Sequence, residues 1–233
     1  MQYERYGTVH MRSRMSSQAK SVRGSTETQA GAKKSRRDLK REAILIAGKE
    51  LFFGEGYGGA SIDAVVERVG GSKATFYSHF RSKDELLLAI VKQVTESAVA
   101  DVFSVPANPD FREYLRKLGR VVLRWLTSPE IVALERIAAA EALRVPEVGK
   151  VFYEEGILPA YTGAAHIFQS AMDKGVLRQA DPFVVLGHFV ELCAGWRARL
   201  QIWNVAPAPT AREIGVHVDA AVEVFMDGYT SAR

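Results

Sequence analysis

Cysteine occurs once in the 233 residues, at Cys193. A lone thiol makes neither an internal disulfide nor a thiolate zinc cluster, which excludes a stapled secreted scaffold and a structural zinc domain and fits a reducing cytoplasm. Long apolar runs are missing as well. The longest stretch without Asp, Glu, Lys or Arg, from Gly156 to Met172, contains Pro159, Gly163, His166 and Gln169, so no bilayer-crossing helix and no membrane partner are expected. There is no convincing alternating strand pattern and no internal repeat. Ordered Ser-His-Asp triads, paired Glu-x-x-His motifs and phosphate loops are absent too, so no catalytic residue, metal or cofactor is expected. Two short motifs are discounted. Gly54-Glu55-Gly56-Tyr57-Gly58-Gly59 spells a dinucleotide fingerprint but follows a helix instead of a strand, and Ser17 with Lys20 spells S-x-x-K without any partner motif.

What the chain does have is 47% hydrophobic and 25% charged residues, enough for a real core in one or two domains. The net charge of +4 conceals a gradient: residues 1–37 hold nine basic and two acidic side chains, residues 38–83 seven and six, and residues 84–233 fifteen and nineteen. A basic amino-terminal end on a mildly acidic remainder suggests nucleic acid as a partner at one end only. Residues 1–36 are polar and without apolar period, and are read as a disordered basic tail with no signal-peptide core, within which Met11 or Met15 is an alternative start.

From Arg37 the spacing turns helical. Ala43, Ile44, Ala47, Leu51 and Phe52 fall on one face, with Lys40, Arg41, Glu42, Lys49 and Glu50 opposite, until four glycines between Gly54 and Gly59 stop the helix. Capping boxes at Ser82/Glu85 and Thr210/Glu213, and Asn108-Pro109, Ser128-Pro129 and Asp181-Pro182, mark five further helix starts. They predict helices over 83–104, 109–126, 129–144, 182–203 and 211–229, with another over 147–174 in which Pro159 marks a break. The fold class is all-α.

Ser61 to Val69, Gly70-Gly71, then Ser72 to Phe80 read as helix, tight turn, helix. Ile62, Val65, Val66 and Val69 form one apolar stripe and Phe76 and Phe80 the other, leaving Lys73, Thr75, Tyr77, Ser78 and His79 outward. A short helix rich in donors suits a DNA major groove. His79 has no second metal ligand at helical spacing and reads as a groove contact.

The run Ser61-x-x-x-Val65-x-x-x-Val69-Gly70-Gly71-Ser72-Lys73-Ala74-Thr75-Phe76-Tyr77-x-His79-Phe80-x-Ser82-Lys83-Asp84-Glu85-Leu86 resembles the helix-turn-helix signature of the TetR (tetracycline repressor) family. A fainter likeness, Ala139-Ala140-Glu141-Ala142-x-Arg144-x-Pro146-Glu147-x-Gly149-x-x-Phe152-Tyr153, is similar to the C-terminal domain of AefR-like members. The first resemblance implies that Lys73, Ala74, Thr75, Ser78 and His79 face the major groove, that Tyr77 and Lys83 hold phosphates, and that Ser61 caps its helix near the backbone. Gly71, Ala74 and Val69 depart from the family's usual valine, glycine and alanine, which implies an altered angle of the reading helix. It also implies a helix-turn-helix domain over 37–83 and a ligand-binding and dimerisation domain over 84–233.

In that second part Trp125, Phe152, Tyr161, Phe168 and Met172, with Glu141 and His166 among them, are candidate pocket residues for a small apolar or amphipathic effector, Arg144 being a candidate partner for Glu141. The two last helices are apolar around too much of their circumference for a monomer. Phe189, Cys193, Trp196 and Leu200 on one, and Val218, Val222 and Phe225 on the other, are expected in a symmetric four-helix homodimer interface. The expected function is a cytoplasmic, dimeric, effector-released regulator, a repressor, on a near-palindromic double-stranded DNA operator. Two other readings stand beside it: a helical-bundle enzyme using Glu141, Glu154, Glu155, His166 or His188, and a DNA-binding module that answers to a protein partner.

Overall fold

The computed structural model describes residues 35–106 and 110–231. The expected basic tail and the Asn108-Pro109 helix start lie outside these. The described residues are helical, and their one extended pairing is a single bridge between Leu177 and Thr230. Contacts divide the chain after Leu39. Of the first unit, residues 35–39 are described; the Ser35 hydroxyl accepts from the Asp38 N–H (3.1 Å), and the Asp38 carboxylate accepts from the Ser35 N–H (3.1 Å), so each satisfies an orphan donor of the first turn.

We number the elements α1 (Arg36–Gly59), α2 (Ile62–Val69), α3 (Lys73–Tyr77), α4 (Lys83–Phe103), α5 (Phe111–Leu126), α6 (Pro129–Glu141), α7 (Pro146–Val151), a wide-turned π1 (Phe152–Ile157), α8 (Leu158–Asp173), α9 (Pro182–Val190), a second wide turn π2 (Glu191–Gly195), α10 (Trp196–Ile202) and α11 (Ala211–Tyr229). Their starts follow local chemistry. Ser82, Ser128, Asp181 and Thr210 each accept a hydrogen bond from a first-turn N–H, and at α11 the Glu213 carboxylate closes a full capping box. At α4 the box is only half made, because Glu85 takes the N–H of Arg81 (2.6 Å) instead of that of Ser82. Asp110 caps α5, which starts at Phe111, two residues later than its proline suggests. The glycines after Phe53 do not end α1 at once. Helix resumes to Gly59 after a break at Gly56, whose φ of 73° suits a residue without Cβ.

Pro159 breaks nothing. It sits at the start of α8, directly after π1, where the widened turn takes up the hydrogen bond and the space that a proline denies an ordinary helix. Two cores result. One joins α1–α3 and the first half of α4 with Ile131, Leu134 and Ile137 of α6 and Val148 of α7. The other packs α5, α8, α9 and α11 around Phe168, Phe189 and Phe225, whose rings meet at 5.3–6.0 Å. No helix among the described residues is long and apolar enough to cross a membrane.

Candidate nucleic-acid interface and cavity

Ser61 starts α2 by accepting from the Ala64 N–H (3.1 Å), and Ser72 starts α3 by accepting from the Thr75 N–H (3.2 Å). Between them Gly70 and Gly71 hold φ of 67° and 154°, a turn that a side chain would strain. Lys40 fixes the turn from α1: its ammonium donates to the carbonyls of Val69 (3.2 Å) and Gly70 (2.5 Å), the negative end of α2. Lys40 was expected to face away from the fold. Its partners are backbone groups 29 and 30 residues on, which periodicity does not reveal.

Phe76 and Phe80 are buried beneath α3, with the Arg41 guanidinium 4.8 Å from the Phe80 ring, and this anchors the helix by its inner face. The outer face is then set. Lys73, Ala74, Tyr77 and Ser78 are exposed and Thr75 and His79 half-buried. Lys73 pairs with Asp63 of α2 (2.8 Å), which pushes its ammonium above the usual range. The Ser78 hydroxyl donates to the Thr75 carbonyl (2.7 Å), and the Thr75 and Ser72 hydroxyls lie 3.2 Å apart. Lys83 is placed differently from the other expected contacts: its ammonium lies over the Tyr57 ring at 4.2 Å, half-buried, and burial lowers its pKa, with Arg144 next in effect.

Tyr57 is the centre of a polar knot at the start of α4. Its hydroxyl donates to Asp84, and burial first, then this bond, pushes its phenol up to about 12. Arg144 covers the other atoms, with its guanidinium 4.7 Å from the Tyr57 ring, 3.3 Å from Asp84 and 2.7 Å from Glu141. Glu141 therefore has the partner foreseen for it, but it stands in this knot and not in a pocket.

The pocket itself is a cavity of about 300 Å3 walled chiefly by apolar side chains of α5, α8, α9 and α10, with Val102 of α4, Ile157 of π1 and, from α6, Glu135. Of the expected pocket residues Trp125 and Tyr161 line it, and burial pushes the Tyr161 phenol up to about 12. Phe168 and Met172 are sealed in the second core, Phe152 packs against the first, and His166 is exposed on α8. Sequence reasoning missed Glu135, Glu191 and Arg199, which also line the cavity. A signal existed for Glu135, a lone carboxylate one turn after Ile131 and one before Ala138 on an apolar face.

The expected dimer residues also divide. Phe189, Cys193, Val218, Val222 and Phe225 are at most 1% exposed within one chain, and Leu200 is half-buried. Burial pushes the Cys193 thiol up to about 12, which leaves it inert as a nucleophile. From α9 to the end of α11 the large apolar side chains left open are Val184, Leu192, Trp196, Trp203, Val205, Val216 and Val224. The physical reason is π2. At ordinary helical spacing Phe189, Cys193, Trp196 and Leu200 share a stripe, but the widened turn over Glu191–Gly195 sets the phase back, so that Ala194 and Ala198 continue the buried side and Trp196 is 62% exposed.

Comparison with known proteins agrees with this arrangement. Residues 44–90 match the family model described as bacterial regulatory proteins, tetR family, and residues 113–231 match the AefR-like transcriptional repressor C-terminal domain. The chain is 31% identical to the helix-turn-helix transcriptional activator FasR of Mycolicibacterium smegmatis over 44% of this chain and 54% of that protein. It is 26% identical to the regulator TcmR of Streptomyces glaucescens over 49% of each. The chain thus spans about half the length of these curated relatives. Among solved structures, a TetR-family transcriptional regulator from Mesorhizobium loti superposes with a TM-score of 0.75 at 25% identity, over 84% of this chain and 100% of that one. The flavonoid-responsive regulator FrrA superposes with a TM-score of 0.70 at 28% identity, over 84% and 99%.

Proposed function

Because the chain belongs to the TetR family of transcriptional regulators, with an AefR-like C-terminal domain, we propose that it acts in the cytoplasm as a dimeric repressor that leaves a near-palindromic operator when a small effector fills the cavity. The enzyme reading is set aside, since the matched families and named relatives are transcriptional regulators. We take residues 37–83 as the DNA-binding part and 84–233 as the effector and dimer part.

One observation carries the reading: α4 spans both sites. It starts at Ser82, two residues beyond Phe80 of the reading segment, and near its other end Val102 forms cavity wall. A 21-residue helix is about 30 Å long, so an effector that displaces Val102 tilts a stiff rod whose far end adjoins α3. Tenfold weaker operator binding requires only about 1.4 kcal/mol of differential affinity, and DNA then weakens the effector by the same factor.

On the operator, Lys73, Ala74, Thr75, Ser78 and His79 read base edges and Tyr77 and Lys83 hold phosphates, with Ser61 near the backbone. Lys73 exchanges Asp63 for the nucleic acid, and Lys83 rises from the Tyr57 ring. Two such helices in a dimer stand roughly 34 Å apart, one turn of DNA. Fluorescence anisotropy with inverted-repeat DNA from beside the gene tests this. If six to eight phosphates are neutralised, the slope of log affinity against log salt is about −5 to −7, and Tyr77→Ala weakens binding by roughly tenfold or more. Weak binding indifferent to sequence, unchanged in that variant, overturns the proposal.

A further inference from the structure

The reading above leaves the chemical class of the effector open, and the inference here rests on that reading. Apart from Tyr161 and the Trp125 indole, the cavity offers three polar side chains: Glu135, Glu191 and Arg199. Glu191 and Arg199 belong to the mouth, where their side chains are 63% and 53% exposed and already paired at 3.3 Å. The Glu191 carboxylate lies back across π2, in space that a Cβ on Gly195 would occupy. Gly195 thereby lets this carboxylate border the opening.

Two groups of the wall are unmatched: the Trp125 indole N–H, a buried donor with no hydrogen-bond partner, and the Glu135 carboxylate, which is the charged one. Half-buried on α6, it has no hydrogen bond or ion pair with any described residue. The neighbouring cation is committed elsewhere: Arg136 donates to the carbonyls of Gln201 (2.6 Å) and Ile202 (2.7 Å) and so closes the end of α10. Removing a carboxylate from water without a partner is unfavourable, and Glu191, which lines the same cavity, acts on it with like sign. An anionic ligand meets two carboxylates and one cation already engaged. A neutral ligand leaves Glu135 as it is, whereas a cation supplies what the chain withholds.

We propose that the effector is an amphipathic organic cation whose ammonium or amidinium group seats between Glu135 and Glu191 and whose apolar body lies along Leu118, Val122, Ala164 and Leu186. The volume of about 300 Å3 suits a small molecule of that kind. The shared charge also gives selectivity, because a site built around an unpaired carboxylate discriminates by sign more strongly than by the length of an alkyl tail.

The experiment is calorimetric titration of the intact protein with three probes that share an eight-carbon tail: octylammonium, octanol and octanoate. Octylammonium is expected to bind at least tenfold more tightly than octanol, and octanoate less tightly than either. Glu135→Gln, folded by its melting curve, loses the ammonium advantage and keeps octanol, while Ala164→Phe fills the cavity and loses all three. Octylammonium also releases labelled operator from the wild type and not from Glu135→Gln. Equal affinity for the three probes, or preference for octanoate, overturns the cation and leaves the cavity as effector site. Octylammonium binding that survives both substitutions lies elsewhere and overturns it too. If no probe binds while the operator is still held, the cation and the effector cavity fall together and the DNA-binding reading stands.

Discussion

At the scale of single residues, Glu135 and Glu223 are two carboxylates whose environments act in opposite directions. Burial, with Glu191 second, raises the Glu135 pKa, whereas Arg112 first and Arg116 after it hold Glu223 below the usual carboxylate range. For Glu135 the folded protein binds the proton more tightly than the unfolded chain does. The penalty is therefore full above the folded pKa and vanishes below the unfolded value, about 4.3. Glu223 is the reverse: its stabilisation is present at neutral pH and is lost as the pH falls through its depressed folded pKa. Melting curves of Glu135→Gln should thus lie above the wild type at pH 7 and converge with it near pH 4, while those of Glu223→Gln lie below at pH 7 and converge on acidification. A Glu135→Gln curve parallel to the wild type at every pH would mean that the carboxylate is hydrated, and the argument for a missing cation would go with it. Such residues were hard to read from sequence. Lys73, Tyr77 and the outward face of α3 follow from spacing, because a helix of known start and two buried phenylalanines fixes every other direction on it. Glu135 and Glu141 are both acidic residues of one amphipathic helix, and which of them finds an arginine depends on elements far along the chain.

Elements were legible where their ends carry local chemistry. The caps at Ser82, Ser128, Asp181 and Thr210 are hydroxyls and carboxylates two or three residues from the N–H groups they accept from, so the sequence alone displays both partners. The wide turns π1 and π2 are different, since neither carries a cap or a turn residue that marks it, and π2 was enough to part Trp196, which stays on the surface as an interface residue must, from Phe189 and Cys193, which are buried within the chain. Gly119 shows the same limit. In the middle of α5 it is costly by helix propensity, and its reason lies on three other elements: a Cβ there would come 2.7 Å from Val218 of α11, 3.0 Å from Cys193 of π2 and 3.3 Å from Phe189 of α9. None of those atoms is the free end of a surface chain. Gly119→Ala should destabilise by about 1–3 kcal/mol, with the gain in helix propensity overcome by overpacking, as read by urea unfolding at an unchanged m-value. Combining it with Val218→Ala, which empties the closest of the three, should cost less than the sum of the two singles. Strict additivity would show that α5 and α11 have room to separate.

For the whole molecule the question is what covers the outer apolar face. Val184, Leu192, Trp196, Trp203, Val216 and Val224 are 38–67% exposed, and the indoles of Trp196 and Trp203 meet edge to face at 6.1 Å. Large apolar side chains left open along α9, π2, α10 and α11 are more than a monomer normally leaves in water, and a twofold axis through them gives each patch its own copy as complement. The protein should therefore sediment as a dimer. Trp196→Glu should give a folded monomer, because the residue is 62% exposed and belongs to neither core; Val222→Glu, fully buried in its own chain, should give no folded protein at all. The monomer then tests how the operator is held. If the two reading helices contribute alike, one protomer keeps about half of the binding free energy, so a nanomolar complex with the inverted repeat falls to the order of ten micromolar, and its salt slope halves with it. An operator affinity that survives dissociation of the dimer would instead place recognition in a single protomer, and inverted symmetry in the DNA would lose its physical reason.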